Sequence, residues 1–228
     1  MLIDLHNHTW PRSHDSVLDP RDLIERAREA GLDAICLTEH DAIWPTEEVT
    51  KLCEDSGFLV IPGVEISTDD GHILAFGVEK YVFGMHRSQK LAEHVQERGG
   101  AMVGAHPYRR LMPWRDDEDE WHRAIERASH NPGYAQCVAL EALNGRGNDK
   151  QNRFSAALCE LMELPGTGGT DSHAVHDVGT VATHFESDNI HDWRDLVREL
   201  QSGRYHAVDL RTKQEIPDDL PNQAAKPR

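Results

Sequence analysis

The sequence predicts an α/β fold, either a small barrel or an open doubly wound sheet. Short apolar segments of strand length alternate with longer segments in which apolar residues recur at helical spacing. Such alternation is typical of a parallel sheet whose strands are connected by helices. At 228 residues the chain is long enough for one large domain, and about seven strand–helix units fit into it. In both architectures function lies at the carboxyl ends of the strands.

Two strand–helix units and a third strand are predicted in the first sixty residues. Asp19 and Pro20 supply an N-cap and a first-turn proline for the first helix, which ends at Gly31. The same pattern then repeats, which favours a parallel sheet. The predicted elements of this part are strands at 2–5, 34–38 and 58–62 and helices at 20–31 and 46–55.

The alternation is interrupted after Glu65 by a predicted β-hairpin. An Ile-Ser-Thr segment, an Asp-Asp-Gly turn and the segment His72-Ile-Leu-Ala-Phe-Gly indicate two strands that reverse at Asp70-Gly71. Regular alternation resumes afterwards, with Gly99-Gly100 as a helix stop. The remaining predicted elements are helices at 88–98, 117–129, 152–163 and 193–202 and strands at 101–105, 138–143 and immediately before Asp171.

The composition predicts a cytoplasmic protein with one folded domain, residues 1–210. The segment 211–228 is polar and interrupted by prolines, so we expect a tail without fixed structure. The amino terminus lacks the features of a signal peptide, and no apolar run approaches the roughly 18 residues that cross a membrane. Four widely spaced cysteines without a C-x-x-C pair indicate reduced thiols rather than disulfides or zinc ligands.

The net charge argues against long nucleic acids as partners. Asp and Glu outnumber Lys and Arg by 40 to 24, which gives a formal charge of −16. Such a chain repels polyanions unless bound metal ions or a local basic patch reverse the field. Nothing in the sequence indicates a membrane partner or an oligomeric state.

Histidine stands beside carboxylate where three of the predicted strands end. The pair His6-x-His8 is weak evidence alone, since 15 histidines in 228 residues give about one such pair by chance. Its position strengthens it, because residues two apart in an extended segment point the same way. His40 follows the second strand, and Asp171 and His173 repeat the two-residue spacing. Aligned parallel strands would bring these groups together, which predicts a metal site.

Three further residues are candidates for the same site. Glu65 follows the apolar segment 60–64, where a carboxylate is a candidate ligand rather than a solvated surface charge. His106 ends the strand 101–105 and is held by the next residue, Pro107. His72 lies on the hairpin arm, where it is either a ligand or a packed structural histidine.

Five motifs in their order along the chain resemble one family. They are Asp-Leu-His6-Asn-His8-Thr, Thr-Glu-His40-Asp, Gly-Val-Glu65-Ile-Ser, Ala-His106-Pro and Gly-Thr-Asp171-Ser-His173. Together they resemble the polymerase and histidinol phosphatase (PHP) family of metal-dependent phosphoesterases. The resemblance implies a distorted barrel of seven βα units, a (β/α)7 barrel, with two or three divalent ions at the carboxyl ends of the strands. Manganese, zinc, iron and magnesium are the metals that it implies.

The resemblance also implies which residues bind each ion. His6, His8, Glu65 and Asp171 match a first site, Glu65 bridges to a second site with His106 and His72, and His40 and His173 match a third. The last ligand of the third site comes from the loop at 12–16. Asp15 is the preferred candidate, and His14 is the alternative.

Metal-assisted hydrolysis is the chemistry that the resemblance implies. Two ions about 3.5–4 Å apart bind a shared water, lower its pKa and stabilise the attacking and leaving oxygens at phosphorus, and the bridging hydroxide is then the nucleophile. Candidate substrate contacts follow the strands: Arg109 and Arg110 as a phosphate clamp or a solvated patch, and Asn144 and Arg146 on the next loop. Glu141 is either a ligand or a residue that holds one. His176 is a candidate general acid or a solvated loop residue.

These features predict a phosphoesterase that acts on a small phosphorylated substrate, either a nucleotide or a phosphate monoester such as histidinol phosphate. Two alternatives differ in class. The same metal site could hydrolyse an amide or an ester, because an activated water also attacks carbonyl carbon. A non-catalytic metal-binding accessory domain is the third interpretation, but it predicts missing ligands, and the sequence retains every expected position.

Overall fold

A mixed α/β fold is built around one strongly curved sheet. The computed structural model describes residues 1–115 and 117–211. In this part the strands are β1 (Leu2–Asp4), β2 (Ala34–Leu37), β3 (Leu59–Thr68), β4 (Gly71–Phe76), β5 (Ala101–Gly104), β6 (Ala139–Asn144), β7 (Gly166–Gly169), β8 (Val181–Phe185) and β9 (Tyr205–Asp209). The helices are α1 (Pro20–Glu29), α2 (Thr46–Ser56), α3 (Ser88–Glu97), α4 (Glu118–Ser129), α5 (Asp149–Met162) and α6 (Trp193–Ser202), with short 3-10 turns at Tyr134–Gln136 and Val175–Asp177.

The strand order is β7-β6-β5-β4-β3-β2-β1-β8-β9. Strands β1, β2 and β3 pair in parallel, and so do β5, β6 and β7, whereas β4 is antiparallel to β3 and β5, and β8 is antiparallel to β1 and β9. The far end of the sheet curls back onto its other side, where the Gly168 amide donates to Thr183 Oγ1 at 2.9 Å and that hydroxyl donates to the Gly168 carbonyl at 2.8 Å. The result is a nearly closed barrel-like sheet. The barrel class predicted from the sequence is confirmed, but the nine strands found in the described residues differ from a regular set of seven βα units.

The predicted hairpin is present and longer than expected. Thr68 pairs with Gly71 at its tip, and the φ of +123° at Gly71 is one that glycine adopts readily. The third strand continues past residue 62, because Gly63 and the residues after it pair with β4. The position of the turn was therefore predicted correctly, but the strand before it was predicted to end too early.

Strands β8 and β9 were not predicted. They form an antiparallel pair in which exposed His184 lies opposite exposed His206. Both segments are short and contain histidine and threonine or aspartate among their apolar residues, so neither has the continuous apolar pattern of the buried strands. Local sequence gave no adequate signal for this pair.

Helices cover the outer side of the sheet and follow the expected capping rules. Asp19 caps α1 by accepting from the Arg21 amide at 2.8 Å, and Leu23, Ile24 and Ala27 form its buried face. Strand β2 is buried along its whole length, as expected for a parallel strand covered on both faces. All four cysteines are free thiols, as predicted.

Apart from Arg211, the tail predicted at 211–228 lies outside the described residues. Among the helices of the described part, none is both long and apolar enough to cross a membrane.

Closure of the sheet can be tested at Gly168. A methyl group there would lie 2.5 Å from the Ala182 carbonyl oxygen and 2.9 Å from Val181 Cγ1. Gly168→Ala must therefore push β7 away from β8, and we expect it to lower the free energy of unfolding by about 1–3 kcal/mol. Urea denaturation measures this change. The control Lys51→Ala, at an exposed position of α2, should change stability by less than about 0.5 kcal/mol. Equal stability of the two variants would contradict close packing between β7 and β8.

Candidate metal centre

Backbone pairing beyond the strand ends brings the candidate ligands together. The segment after β1 pairs with the segment after β7, through a bridge between Asn7 and Ser172 and a bond from the Asp171 amide to the His6 carbonyl at 2.8 Å. A second bridge joins His40 to Glu65. These bonds hold the side chains in register. Among the described residues, histidine and carboxylate atoms approach within 4.8 Å in four groups: His8, His40 and His173; His6, His8 and Asp171; His6, Glu65 and His106; and His40, Glu65 and His72.

Glu65 lies at the middle of this cluster and is fully buried. Its Oε1 atom is 2.8 Å from His72 Nδ1 and 2.8 Å from His106 Nε2. The Oε2 atom faces three other imidazoles, at 2.8 Å for His40 Nδ1, 3.4 Å for His8 Nε2 and 3.5 Å for His6 Nε2. The two oxygens thus face two different groups of histidines, which is the arrangement expected of a bridging carboxylate.

Asp171 approaches the same histidines from the end of β7. Its Oδ1 atom lies 3.4 Å from His8 Nε2 and 3.8 Å from His6 Nε2. The Oδ2 atom accepts hydrogen bonds from Arg109 Nη2 at 2.6 Å and Asn144 Nδ2 at 3.3 Å. One oxygen therefore faces the imidazoles, while the other is held by neighbouring side chains.

Two carboxyls and one imidazole of the site, Glu65, Asp171 and His8, are in charge states that suit cation binding. Burial by itself would raise the pKa of both carboxyls, but His6 and the other imidazoles hold the pKa of Glu65 and of Asp171 well below the usual range. Burial lowers the pKa of His8 to about 4, so this imidazole is neutral at pH 7. Ionised carboxylates and a neutral imidazole are the forms that bind metal. Burial would lower the pKa of His6 too, but Glu141, Asp171 and Glu65 raise it well above its usual value, so His6 must release a proton to bind an ion.

Two buried oxygens show that these residues fit a metal ion. Glu65 Oε2 and Asp171 Oδ1 accept no well-aligned hydrogen bond from the described residues, although imidazole nitrogens surround both and His40 Nδ1 lies 2.8 Å from Glu65 Oε2. Such an atom is costly to bury. Nitrogen and oxygen donors bonded to one divalent ion lie about 3.0–3.5 Å apart. His8 Nε2 is 3.4 Å from each of the two oxygens and 3.0 Å from His6 Nε2, so the spacing matches that of shared ligands.

A third group, at the more exposed side, contains Asp15 and not its alternative His14. Asp15 Oδ2 lies 3.1 Å from His173 Nε2 and 3.2 Å from His40 Nε2. The His14 side chain is exposed, and its ring packs beside Trp10, with 6.3 Å between the ring centroids. The structure therefore places Asp15, and not His14, with the two histidines.

Glu141 supports the cluster from behind. Its Oε1 atom is 3.0 Å from His6 Nδ1, and its Oε2 atom accepts from the His106 amide at 2.8 Å and from Asn144 Nδ2 at 3.0 Å. A carboxylate on Nδ1 leaves Nε2 of His6 free to face the cluster. Of the two roles open for Glu141, the geometry matches the one that holds a ligand in place.

Asn144 is too fully engaged to match the substrate contact that we expected. It is buried, and its amide nitrogen donates to Glu141 and Asp171. Its side-chain oxygen accepts from the Tyr108 hydroxyl at 3.2 Å and from the Arg146 amide at 3.0 Å. These bonds use the donors and acceptors of the carboxamide, so Asn144 ties the loop after β6 to the cluster.

The structure does not bring Arg110, Arg146 or His176 into the cluster. Arg110 follows Arg109 in a left-handed conformation, with φ of 68°, and its side chain is exposed. Arg146 is also exposed. The His176 side chain is 85% exposed and pairs with Asp177 at 3.4 Å. Of the predicted catalytic and substrate-binding residues, Arg109 is the one whose charged group contacts a candidate metal ligand, Asp171.

Glu39 is a residue of the site that the motif analysis did not single out. It is fully buried and accepts from Ser13 Oγ at 2.5 Å and Trp44 Nε1 at 2.8 Å. Its position immediately before His40 in a strand-end motif was the available signal. Sequence spacing could not show that its carboxylate turns away from the candidate ligands and toward the loop after β1.

The family model of the PHP domain matches residues 4–199, and the chain belongs to this family. An uncharacterised protein of Methanocaldococcus jannaschii is 30% identical over 153 residues, which cover 61% of this chain and 90% of that protein. A 5′–3′ exoribonuclease of Haemophilus influenzae is 36% identical over 81 residues, or 34% of this chain and 29% of the exoribonuclease. The match thus spans less than a third of the exoribonuclease.

Solved structures share the fold. PsfC from Pseudomonas syringae superposes with a TM-score of 0.62 at 18% identity, over 91% of each chain. A candidate metal-dependent phosphoesterase from Bifidobacterium adolescentis gives 0.55 at 19% identity, over 92% of this chain and 98% of that one. An amidohydrolase from Chromobacterium violaceum gives 0.59 at 18% identity, over 91% and 98%. At these identities the similarities show a shared fold, while the family match and the cluster of histidines and carboxylates fit a metal-dependent hydrolase.

The central place of Glu65 leads to a prediction about metal content. Glu65→Gln replaces one of the two oxygens with an amide group, which cannot bind a cation, so we expect the variant to hold at least one ion fewer per chain. Elemental analysis after loading with manganese or zinc and gel filtration measures this. The control Glu54→Gln, on the exposed side of α2, should keep the wild-type content. An unchanged content in Glu65→Gln would exclude a bridging role.

Proposed function

We propose that this protein is a metal-dependent phosphoesterase that hydrolyses a small phosphorylated substrate, either a nucleotide or a phosphate monoester such as histidinol phosphate. The observation that carries the proposal is a fixed guanidinium beside the candidate metal ligands. Arg109 donates to Asp171 Oδ2 at 2.6 Å, and its side chain is 39% exposed. Its remaining N–H groups are therefore available to an anionic group that reaches the cluster.

In this proposal three sets of side chains hold two or three divalent ions: His6, His8, Glu65 and Asp171 in the first, Glu65, His72 and His106 in the second, and Asp15, His40 and His173 in the third. When bound, the ions supply Lewis acidity that lowers the pKa of water and offsets the charge that develops on the phosphate oxygens. The donors are imidazoles and carboxylates, which suit manganese, zinc, iron or magnesium.

The exposure of the ligands gives the direction from which a substrate approaches. The side chains of His6, His8 and Glu65 are completely buried, whereas those of His40 and His72 are 26% and 22% exposed. The substrate phosphate would therefore arrive from the side of His40, His72 and Arg109. Arg109 would bind a phosphate oxygen and orient the phosphorus toward the cluster, while water replaces the ester oxygen and the alcohol leaves.

A small substrate is favoured by the overall charge of −16, which opposes the approach of a long polyanion. Because one relative is named as a 5′–3′ exoribonuclease, short oligonucleotides belong in the substrate panel beside nucleotides, sugar phosphates and histidinol phosphate. The alternative reaction, hydrolysis of an amide or ester, is kept because one structural neighbour is named as an amidohydrolase. Fixed positive charge at the rim favours phosphate over a neutral carbonyl compound.

We expect the wild-type protein, loaded with manganese or zinc, to hydrolyse at least one compound of this panel, releasing phosphate from a monoester or mononucleotides from an oligonucleotide. His8→Ala and Asp171→Ala each remove a donor from the buried group, so both variants should lose more than about 99% of the activity. Removal of metal with a chelator should have the same effect. The control His184→Ala, at an exposed position of β8, should retain full activity. Carbonyl hydrolysis without hydrolysis of any phosphate ester would contradict the proposal.

Arg109 and its neighbour Arg110 form a matched pair for a second test. Loss of a charge-assisted hydrogen bond is worth about 1.5–3 kcal/mol, so Arg109→Ala should reduce kcat/KM by about 10- to 150-fold. Arg110→Ala, which removes an exposed charge, should change it by less than about threefold. Steady-state kinetics with a parallel metal analysis separates substrate binding from an indirect effect through Asp171. Equal effects of the two substitutions would argue against the role of Arg109.

A further inference from the structure

The buried carboxylate of Glu39 is surrounded by hydrogen-bond donors. Oε2 accepts from the Thr9 amide at 2.7 Å and from Ser13 Oγ at 2.5 Å. Oε1 accepts from Trp44 Nε1 at 2.8 Å and from the Thr9 hydroxyl. In all four bonds the partner is the donor and the carboxylate oxygen is the acceptor. Glu39 therefore fixes the direction of the bonds around it.

Ser13 connects Glu39 to His8 and determines which of Ser13 and His8 donates in their hydrogen bond. Its single hydroxyl hydrogen is committed to Glu39, so its oxygen can only accept from other groups. Two nitrogens approach that oxygen, the His40 amide at 3.2 Å and His8 Nδ1 at 3.2 Å. Because Ser13 has no hydrogen left to donate, the contact with His8 is a hydrogen bond only when Nδ1 carries the proton.

The opposite nitrogen of His8 is then an acceptor that faces the cluster. His8 Nε2 lies 3.4 Å from Glu65 Oε2 and 3.4 Å from Asp171 Oδ1, the two buried oxygens that accept no well-aligned hydrogen bond from the described residues. A hydrogen bond to Nδ1 fixes both the tautomer and the rotation of an imidazole, and so directs the lone pair on Nε2.

We propose that Glu39 is a positioning residue for His8, acting through Ser13 to hold its Nδ1–H and to direct Nε2 at a metal ion. The inference rests on the proposed role of His8 as a ligand. It gives both histidines of the His-x-His motif a carboxylate behind them, because Glu141 contacts His6 Nδ1 directly at 3.0 Å. The difference is that the connection to His8 passes through a hydroxyl.

The same carboxylate also holds the loop that carries Asp15. Glu39 binds the amide and hydroxyl of Thr9 and the hydroxyl of Ser13, and the Ser13 amide donates to the Thr9 carbonyl at 2.9 Å. Asp15 follows two residues later and contacts His40 and His173. One buried acid thus connects the proposed first and third ligand groups.

Two substitutions interrupt the connection at different points. Ser13→Ala removes the hydroxyl and leaves the carboxylate. Glu39→Gln keeps the size of the side chain but turns an NH₂ group toward donors, which it cannot pair with. The control Trp44→Phe removes one bond to Glu39 at Oε1 and leaves Ser13 untouched. His8→Ala tests the ligand role itself.

The first measurement is the affinity of the metal-free protein for Mn²⁺ or Zn²⁺, determined by competition with a chelator. We expect Ser13→Ala and Glu39→Gln to weaken it by about 10- to 100-fold, the usual effect of removing a partner behind a ligating histidine. Trp44→Phe should stay within about threefold of wild type even if it lowers the Tm. A general loss of packing would instead weaken all three variants together.

The second measurement is NMR of the zinc-loaded protein. The Nδ1 proton of His8 should give a protected, downfield resonance in the wild type and in Trp44→Phe. In Ser13→Ala and Glu39→Gln it should exchange with water or disappear. If Glu39→Gln does not fold, Ser13→Ala decides the question, because it leaves the buried charge with its other donors.

Three outcomes overturn the inference: wild-type affinity in Ser13→Ala, an unchanged Nδ1–H resonance in that variant, or an equal loss of affinity in Trp44→Phe. Failure of the proposed ligand role has a different signature, since His8→Ala would then bind metal as tightly as the wild type. If His8→Ala lost metal affinity and Ser13→Ala did not, the metal site would stand and the role of Glu39 would be contradicted.

Discussion

The burial of the Glu65 carboxylate among imidazoles is the constraint on which the rest of the site depends. An ionised carboxylate away from water costs several kcal/mol unless other groups compensate for it. Here five histidines, contributed by segments after or within four different strands, approach its two oxygens. No single βα unit provides such an environment. The strand ends must therefore be held in register, and the pairing of the strands in one sheet does this.

The irregular parts of the sheet serve this alignment. The antiparallel hairpin places His72 opposite Ser67, two residues beyond Glu65 and therefore on the same face. On the other side, the contact of Gly168 with Thr183 closes the sheet and brings Asp171 next to His6. Asp171 and His106 have positive φ angles, 57° and 29°, which are uncommon outside glycine and occur often at functional sites. Departures from a regular parallel barrel thus coincide with the candidate ligands.

A layer of polar residues surrounds the cluster and divides into three functions. Glu141 and Asn144 fix the histidines and Asp171 from below. Glu39 and Ser13 connect the loop after β1 to His8 and His40. Arg109 differs from these because it is partly exposed and carries a charge, so it can both hold Asp171 and meet an anion. Because the chain carries a formal charge of −16, which opposes an approaching anion, a positive charge beside the cluster matters for binding one.

The sequence by itself determined the fold class, most helix positions, the hairpin turn and the family, because apolar periodicity, capping residues and strand-end motifs are local signals. It also named the nine residues that the structure gathers into one cluster. Only the tertiary structure distinguished Asp15 from His14, separated Arg109 from Arg110, placed Glu141 and Asn144 behind the ligands, left His176 exposed and revealed β8, β9 and Glu39. Neighbouring residues share nearly the same local pattern. Where each side chain points, and which distant group it meets, is decided by strand register and by contacts between segments far apart in the chain.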